Sequence, residues 1–452
     1  MENILLGKKH IHFIGIGGSG MYPLAQILHS QGYYLTGSDN NPTETLDAVK
    51  AMGIEVFMGQ RAENIKGADL IVHTAAIMAD NEELIAAKAS GVPVLERSEL
   101  LGLVTSWYEN AVCVSGTHGK TTTSSILTQI FMEAGVDLSC VIGGKLKAIG
   151  GSGRVGKSDI MVCEACEYVD TFLKLYPDVS IILNIDDDHM EYFKTIENTI
   201  RSFNKFCQKT TKCIVVNGDD ANSMKAVEGL EGKDIITFGF DIKNDYSAKI
   251  IGKKGMQTDF EVFFKGKSLG VASLYVPGDH NVLNALAATA AAMYCGVDFD
   301  SCVMGLQVFR GAIRRFELIS DKAGITIIDD YAHHPKEVEA TLKVAKSLGF
   351  KRVWAVHQPF TFSRTARLKE DFAKALSIAD EVVLTQIMGS REKNTYNIYS
   401  SDLAALIDGA TVHETFDDVV EFLLQNVKAG DMVITMGCGD VYKIAKSYAQ
   451  KL

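Results

Sequence analysis

The run Val112-Cys113-Val114-Ser115-Gly116-Thr117-His118-Gly119-Lys120-Thr121-Thr122-Thr123 takes an apolar strand through a glycine-bounded loop into a helix-like stretch. Phosphate loops of the pattern G-x-x-x-x-G-K-[ST] surround phosphate oxygens with backbone N–H groups, a lysine and a hydroxyl. Here the pattern is shortened to G-x-x-G-K-T. The chemistry survives the shortening. The amides of Gly116, Thr117, His118 and Gly119 can form an anion nest, Lys120 can reach β- and γ-phosphates, and the hydroxyl of Thr121, followed by Thr122, can ligate Mg²⁺. Two later strand ends carry acids: Glu164 and Glu167 after Met161-Val162-Cys163, and Asp186, Asp187, Asp188 and His189 after Ile181-Ile182-Leu183-Asn184. Polar groups at the carboxyl ends of adjacent parallel strands converge on a ligand crevice. Glu164 and His189 are therefore candidate metal ligands. The single C-x-x-C of Cys163 and Cys166 sits at a strand end, not at a helix start, which does not suit redox or zinc chemistry.

A second Gly-rich loop, Gly15-Ile16-Gly17-Gly18-Ser19-Gly20, follows a strand candidate and precedes a helix-like stretch that starts at Met21. Asp39 lies about 20 residues on, near the end of another strand, which is the context of a dinucleotide fingerprint. The physics is diphosphate binding at a helix N-terminus, and NAD and a nucleotide sugar would be held alike. Further polar clusters are Asp279-His280-Asn281 with Asn284, Arg314-Arg315-Phe316-Glu317, Asp329-Asp330-Tyr331-Ala332-His333-His334-Pro335, and His357-Gln358-Pro359-Phe360-Thr361-Phe362-Ser363-Arg364-Thr365. Together they supply the groups that a nucleotide and a carboxylate substrate need.

The elements that must position these residues are short apolar runs alternating with helix-like stretches. Strands are expected at 11–16, 70–73, 112–115, 160–163, 180–184, 213–217, 326–329, 353–357, 381–385 and 432–436. Most are β-branched and continuously apolar, as parallel strands buried on both faces are. The alternation implies βαβ units and doubly wound sheets. Residues 245–276 alternate polar and apolar between turn signals and read as an antiparallel patch. A chain of 452 residues suggests about three domains. Breaks near 105–110 and 309–316 place them at 1–108, 109–312 and 313–452.

Composition narrows the function. A net charge of −11 argues against a general nucleic-acid or anionic-membrane surface, while leaving room for a local phosphate pocket. Nine scattered cysteines in a long chain read as reduced thiols in the cytoplasm. The N-terminus carries Glu2 and no small-residue cleavage site, so no signal peptide is expected. The Ala-rich run 284–296 is too short for a membrane span.

With these motifs assembled, the chain resembles the Mur ligases, the ATP-dependent amide-forming enzymes of bacterial peptidoglycan synthesis, over nearly its whole length. The resemblance is carried by GIGGSGM at 15–21, GTHGKTTT at 116–123, DDYAHHP at 329–335, HQPFTFSRT at 357–365 and GCGD at 437–440. It implies an α/β fold in three domains: an N-terminal Rossmann-like domain for a UDP-sugar, a central P-loop ATPase domain, and a C-terminal Rossmann-like domain that closes over ATP and the amino acid. Within the family, the segments point to joining L-alanine to the lactyl carboxylate of UDP-N-acetylmuramate through an acyl phosphate. The neighbouring alternative is the recycling reaction that adds a tripeptide. An NAD-dependent oxidoreductase would leave the phosphate loop idle, and a P-loop switch would leave the first Gly-rich loop and DDYAHHP idle.

The resemblance also implies roles. Gly116, Thr117, His118, Gly119, Lys120, Thr121 and Thr122 bind ATP. Thr121 and Glu164 ligate one Mg²⁺ and His189 a second. Asn281 and Asn284 lie on the adenine side, and Arg315 with Asp329 forms part of a lid. Gly15, Gly17, Gly18, Ser19, Gly20, Met21, Asp39 and Thr74 bind the UDP-sugar; Tyr331, His333 and Arg364 bind the amino acid. Lys120, Glu164, His189 and Arg315 are the implied catalytic set. Two departures stand out. Phe360 and Thr361 replace the His and then Arg or Thr common in relatives, which shifts the carboxylate contact to Arg364. The usual E-A-D-E is Glu164-Ala165-Cys166-Glu167, with its first glutamate intact.

Overall fold

A computed structural model describes residues 4–390 and 392–452; Glu2 lies outside them. It contains three sheets. The first runs in the order Glu55–Met58, Tyr34–Asp39, His10–Ile14, Leu70–His73, Val94–Glu96, all parallel. The ten-stranded second sheet centres on Asn110–Ser115, flanked in parallel by Ile160–Glu164 and Val179–Ile182. Cys213–Asn217, Asp234–Gly239 and Tyr246–Lys254 extend it in parallel on one side. Gln257–Phe264 and Lys267–Leu274 then continue it antiparallel, as the alternating pattern of 245–276 predicts. On the other side lie Ser139–Leu146, parallel, and Gly151–Arg154, antiparallel. The third sheet runs Glu317–Lys322, Ile325–Asp330, Met432–Met436, Val353–His357, Glu381–Leu384, Thr411–Val412, antiparallel only at Glu317–Lys322.

The α/β class follows from burial. Cys213–Asn217, Val353–His357 and Met432–Met436 are buried at every position, which only a strand covered by helices on both faces can be.

The chain forms two compact units, one of residues 1–275 with 279–309, the other of 276–278 with 310–452. The first two sheets share the first unit. One apolar core runs through both, from Leu24, Leu100 and Val104 to Phe172 and Leu175. The helix Arg97–Thr105 lies so close to the 174–175 backbone that a Cβ on Gly102 would collide with the Lys174 carbonyl. The Tyr176 N–H caps Thr105 Oγ1 at 3.1 Å.

A polar chain is buried inside the first sheet. His12 and Glu83 are fully buried and paired at 2.7 Å. Glu83 also accepts from Ser38 Oγ at 2.6 Å, and His12 Nδ1 meets Thr36 Oγ1 at 2.8 Å. A carboxylate there is tolerable only because each oxygen has a partner. The Ser38 carbonyl in turn accepts the N–H groups of Gly15 and Ile16, so the network underpins the first Gly-rich loop.

Candidate active site

The phosphate loop joins the strand Asn110–Ser115 to the helix Lys120–Glu133. Gly119 sits at the helix start with φ 86°, a left-handed conformation that favours glycine. The loop is stitched to the end of the neighbouring strand. Thr117 N–H donates to the Asn184 carbonyl at 2.9 Å, His118 N–H to Asn184 Oδ1 at 2.8 Å, and Asp186 N–H to Thr117 Oγ1 at 2.9 Å. Asn184, Asp186 and the loop thus form one rigid rim, and His118 Nε2 lies 3.6 Å from Asp186 Oδ2.

Both acids after Cys163 face the loop, with different partners. Glu164 Oε2 accepts from Thr121 Oγ1 at 2.9 Å and from Gly143 N–H at 2.8 Å. A Cβ on Gly143 would overlap the carboxylate, so the glycine permits the approach. Glu167 instead pairs with Lys120 at 2.9 Å, with only 2% of its side chain and 14% of the lysine's exposed. Burial alone would depress the Lys120 ammonium, but Glu167, aided by Cys166 and Glu164, holds it above its ordinary value. Glu167 is a site residue that the sequence reading passed over; its place three residues beyond Glu164 was visible, its partner was not. The thiol that faces Cys163 is Cys113 across the sheet, at 3.3 Å, rather than Cys166.

Asn284 was expected beside adenine. The structure seats its Oδ1 against the loop, 2.6 Å from where a Cβ of Gly119 would stand, with its Nδ2 donating to Asn281 Oδ1 at 3.0 Å. Both asparagines are buried. His189 caps the short helix Met190–Phe193, with its ring 4.5 Å from Tyr168 and near Glu191 and Asp188. Among the described residues, no three of His, Cys, Asp and Glu gather as a ready-made metal cage.

At the first Gly-rich loop, Asp39 is committed to the backbone. Its Oδ2 accepts from Gly17 N–H at 3.0 Å and its Oδ1 from Asn41 N–H at 3.1 Å. Thr74 packs on Gly15, and Arg97 lies beside Gly20. Arg97, distant in sequence, is the cation that motif reading missed. Ser19 offers its carbonyl to Ser152 Oγ at 3.0 Å, so the second sheet reaches this loop. Gly18 accepts from Met21 N–H, and the Met21 side chain is buried in the core.

In the second unit Asp329, expected with Arg315 in a lid, forms an ion pair. Arg314 makes that ion pair, at 2.9 Å, and also donates to the carbonyls of Gly437 and Gly439. Arg314 has φ 64°. Arg315 lies over the Tyr331 ring at 5.3 Å and faces Asp330. Asp329 is fully buried, and burial raises it to about 6 against the pull of Arg314. His333 Nδ1 meets the Tyr331 carbonyl at 3.0 Å and Glu337 at 3.2 Å. Burial lowers His333, and Arg364 adds to the lowering. Arg364 Nη1 and Gln358 Oε1 are buried without hydrogen-bond partners among the described residues, and the buried His357 ring meets the Met436 backbone.

Of the eleven non-glycine residues at positive φ among the described residues, seven flank these segments: Val169, Asp170, His189, Lys194, Arg314, Phe316 and Thr361. Backbone strain of this kind concentrates at functional sites.

The chain matches three family models in succession. Residues 10–108 match the family model "Mur ligase family, catalytic domain", residues 114–292 "Mur ligase middle domain", and residues 314–439 "Mur ligase, glutamate ligase domain". The chain is 43% identical to a UDP-N-acetylmuramate--L-alanine ligase of Caldanaerobacter subterraneus subsp. tengcongensis, over 100% of this chain and 99% of that protein. Among solved structures it is similar to the UDP-N-acetylmuramate-alanine ligase of Thermotoga maritima, with TM-score 0.83, 28% identity, and 98% and 99% of the two chains covered. It is also similar to a murein peptide ligase of Psychrobacter arcticus, with TM-score 0.73, 25% identity and 98% of each chain covered.

Proposed function

The chain belongs to the Mur ligase family, and we propose that it joins L-alanine to the lactyl carboxylate of UDP-N-acetylmuramate through an acyl phosphate. It is an ATP-dependent ligase that forms a C–N bond, in peptidoglycan synthesis. The observation that carries the reading is the phosphate loop with its two carboxylates, Lys120 on Glu167 and Thr121 on Glu164, in a chain whose relative at 43% identity bears that activity in its name. Three functional divisions, 1–108, 109–312 and 313–452, each hold one of the three sheets.

A carboxylate is a poor acyl donor because its leaving group would be oxide. Transfer of the γ-phosphoryl group from ATP to the lactyl carboxylate gives an acyl phosphate and ADP. The neutral amine of L-alanine attacks the acyl carbon, and the tetrahedral intermediate expels phosphate. Lys120 and the loop amides bind the β- and γ-phosphates and offset charge as it develops. Thr121 and Glu164 are the residues that would hold Mg²⁺. Their oxygens already lie 2.9 Å apart, and hydroxyl with carboxylate suits a hard cation that keeps several waters. When bound, the ion neutralises phosphate oxygens. His189 is the ligand assigned to a second ion. Gly15, Gly17, Gly18, Ser19 and Gly20 take the UDP diphosphate, with Thr74 and Arg97 beside them and Asp39 fixing the loop's shape. Tyr331, His333 and Arg364 take the amino acid. The substrates are small molecules, and no helix of the described residues is long and apolar enough to cross a membrane.

The test is phosphate release from ATP with UDP-N-acetylmuramate, scanned over amino acids and the tripeptide. Release with L-alanine well above other acceptors is expected. Preference for the tripeptide would move the assignment to the recycling reaction, and tight NAD(H) binding competed by substrate would overturn the UDP-sugar reading of the first loop.

A further inference from the structure

Glu167 has no part in the metal site or in substrate binding as described above, yet it is the most buried acid at the phosphate loop. Lys120 Nζ lies 2.9 Å from its Oε2 and 3.2 Å from its Oε1. The ammonium's other partners are the carbonyls of Gly116 at 2.6 Å and Thr117 at 3.1 Å. A lysine ammonium carries three donors, so these three residues use all of them. The lysine is folded back along its own loop. To reach a phosphate it must release at least one partner, and the strongest is the carboxylate, since both members of that bond are charged. Glu167 is itself firmly held. Its carbonyl accepts from Asp170 N–H at 3.0 Å, and the adjoining Cys166 carbonyl accepts from Phe172 N–H and Thr171 Oγ1. The turn is closed through Val169 and Asp170, both at positive φ.

We propose that Glu167 is a positioning residue that retracts Lys120 in the nucleotide-free enzyme, so that nucleotide binding exchanges Glu167 for phosphate on the ammonium. The inference rests on the ATP-site reading given above. Its consequence is a lowered affinity for nucleoside tri- and diphosphates alike, because each must displace the same ion pair, and ADP release is eased by the pair's re-formation. If Glu167 instead aligned Lys120 on the phosphates, both contacts would persist in the complex and removing the carboxylate would weaken binding. The two roles therefore predict opposite signs.

The experiment is calorimetric titration of the full chain with MgATP and with MgADP, using wild type, Lys120→Ala, Glu167→Gln and Glu167→Asp. Aspartate keeps the charge but is one methylene too short to hold the ammonium. Both Glu167 variants are expected to bind both nucleotides about tenfold tighter than wild type, the scale of one charged hydrogen bond. Steady-state KM for ATP should fall with no rise in kcat. Unchanged or weaker binding by Glu167→Gln overturns the proposal. Equal tightening by Glu167→Gln in a Lys120→Ala background also overturns it, by assigning the effect to the charge at position 167 itself rather than to its hold on Lys120. Failure of wild type to bind either nucleotide would instead show that the ATP-site reading is wrong, and would remove this proposal with it. If Glu167→Gln does not fold, Glu167→Asp decides alone, by the same sign.

Discussion

The phosphate loop of the first unit and the Tyr331–Arg364 region of the second handle buried polarity in opposite ways. At the loop every ion has a partner before any ligand arrives: Lys120 has Glu167, and Glu164 has Thr121 and Gly143. In the second unit, Arg364 Nη1 and Gln358 Oε1 are buried with none among the described residues. A buried polar group left unpaired costs about 1–3 kcal/mol. The loop is therefore stable as built and works by exchanging partners. The other region carries a standing cost that a polar ligand can relieve, in keeping with its proposed task of taking a zwitterionic amino acid.

The largest effect is expected where the paired region meets reacting charge. Lys120→Ala should reduce kcat by roughly 10²–10³-fold or more, the usual loss on removing one group aimed at transition-state charge, with the melting transition retained. A folded variant with near-normal kcat would break the comparison at its first term.

Next comes burial of a titratable group in the second unit. Burial depresses His357 from 6.5 to about 4. Between those pH values the unfolded chain binds a proton that the native state refuses, so stability present above pH 6.5 is lost as pH falls towards 4. The full span amounts to about 3 kcal/mol. His357→Phe, which places an apolar ring beside Phe372, should lack this loss. Urea denaturation of both proteins at several pH values between 7 and 4.5 measures the difference. Parallel pH curves would mean that burial does not hold His357 neutral in the native state.

A smaller effect tests the ligand that relieves the cost. Arg364→Lys should raise KM for L-alanine about tenfold, since lysine lacks the planar fork that grips a carboxylate at two points, with KM for ATP little changed. A rise confined to ATP would assign Arg364 to the nucleotide side. The smallest is a contrast between the two loop acids. Glu164→Gln should shift the Mg²⁺ concentration for half-maximal rate upward by about fivefold, on the scale of a charge-assisted bond, and Glu167→Gln should shift it far less. The reverse order would exchange their roles.

Much of this was legible in the residues. The strands 213–217, 353–357 and 432–436 match the structure to the residue, because a continuously apolar β-branched run bounded by polar residues has one way to be buried. The two Gly-rich loops, the antiparallel patch and the acids at strand ends are local patterns, and local patterns survive folding. Ser139–Leu146 and Gly151–Arg154 were missed. Their glycines and lysine spoil the apolar run, and the glycines are there because Glu164 and Pro23 come close, a reason no neighbouring residue in the sequence displays.

By itself the sequence determined which chemical groups exist and roughly which strand or loop carries each: a lysine and threonine on a phosphate loop, acids and a histidine at strand ends, an arginine and histidine beyond the third sheet. Only the tertiary structure decided which group meets which. It set Glu167 against Lys120, Arg314 against Asp329, Arg97 beside Gly20, and Glu83 beneath the first loop against His12. The reason is physical. A side chain's identity and its local periodicity are fixed by covalent order, whereas pairing between buried charges depends on distances of a few ångströms between segments brought together by the burial of apolar surface elsewhere.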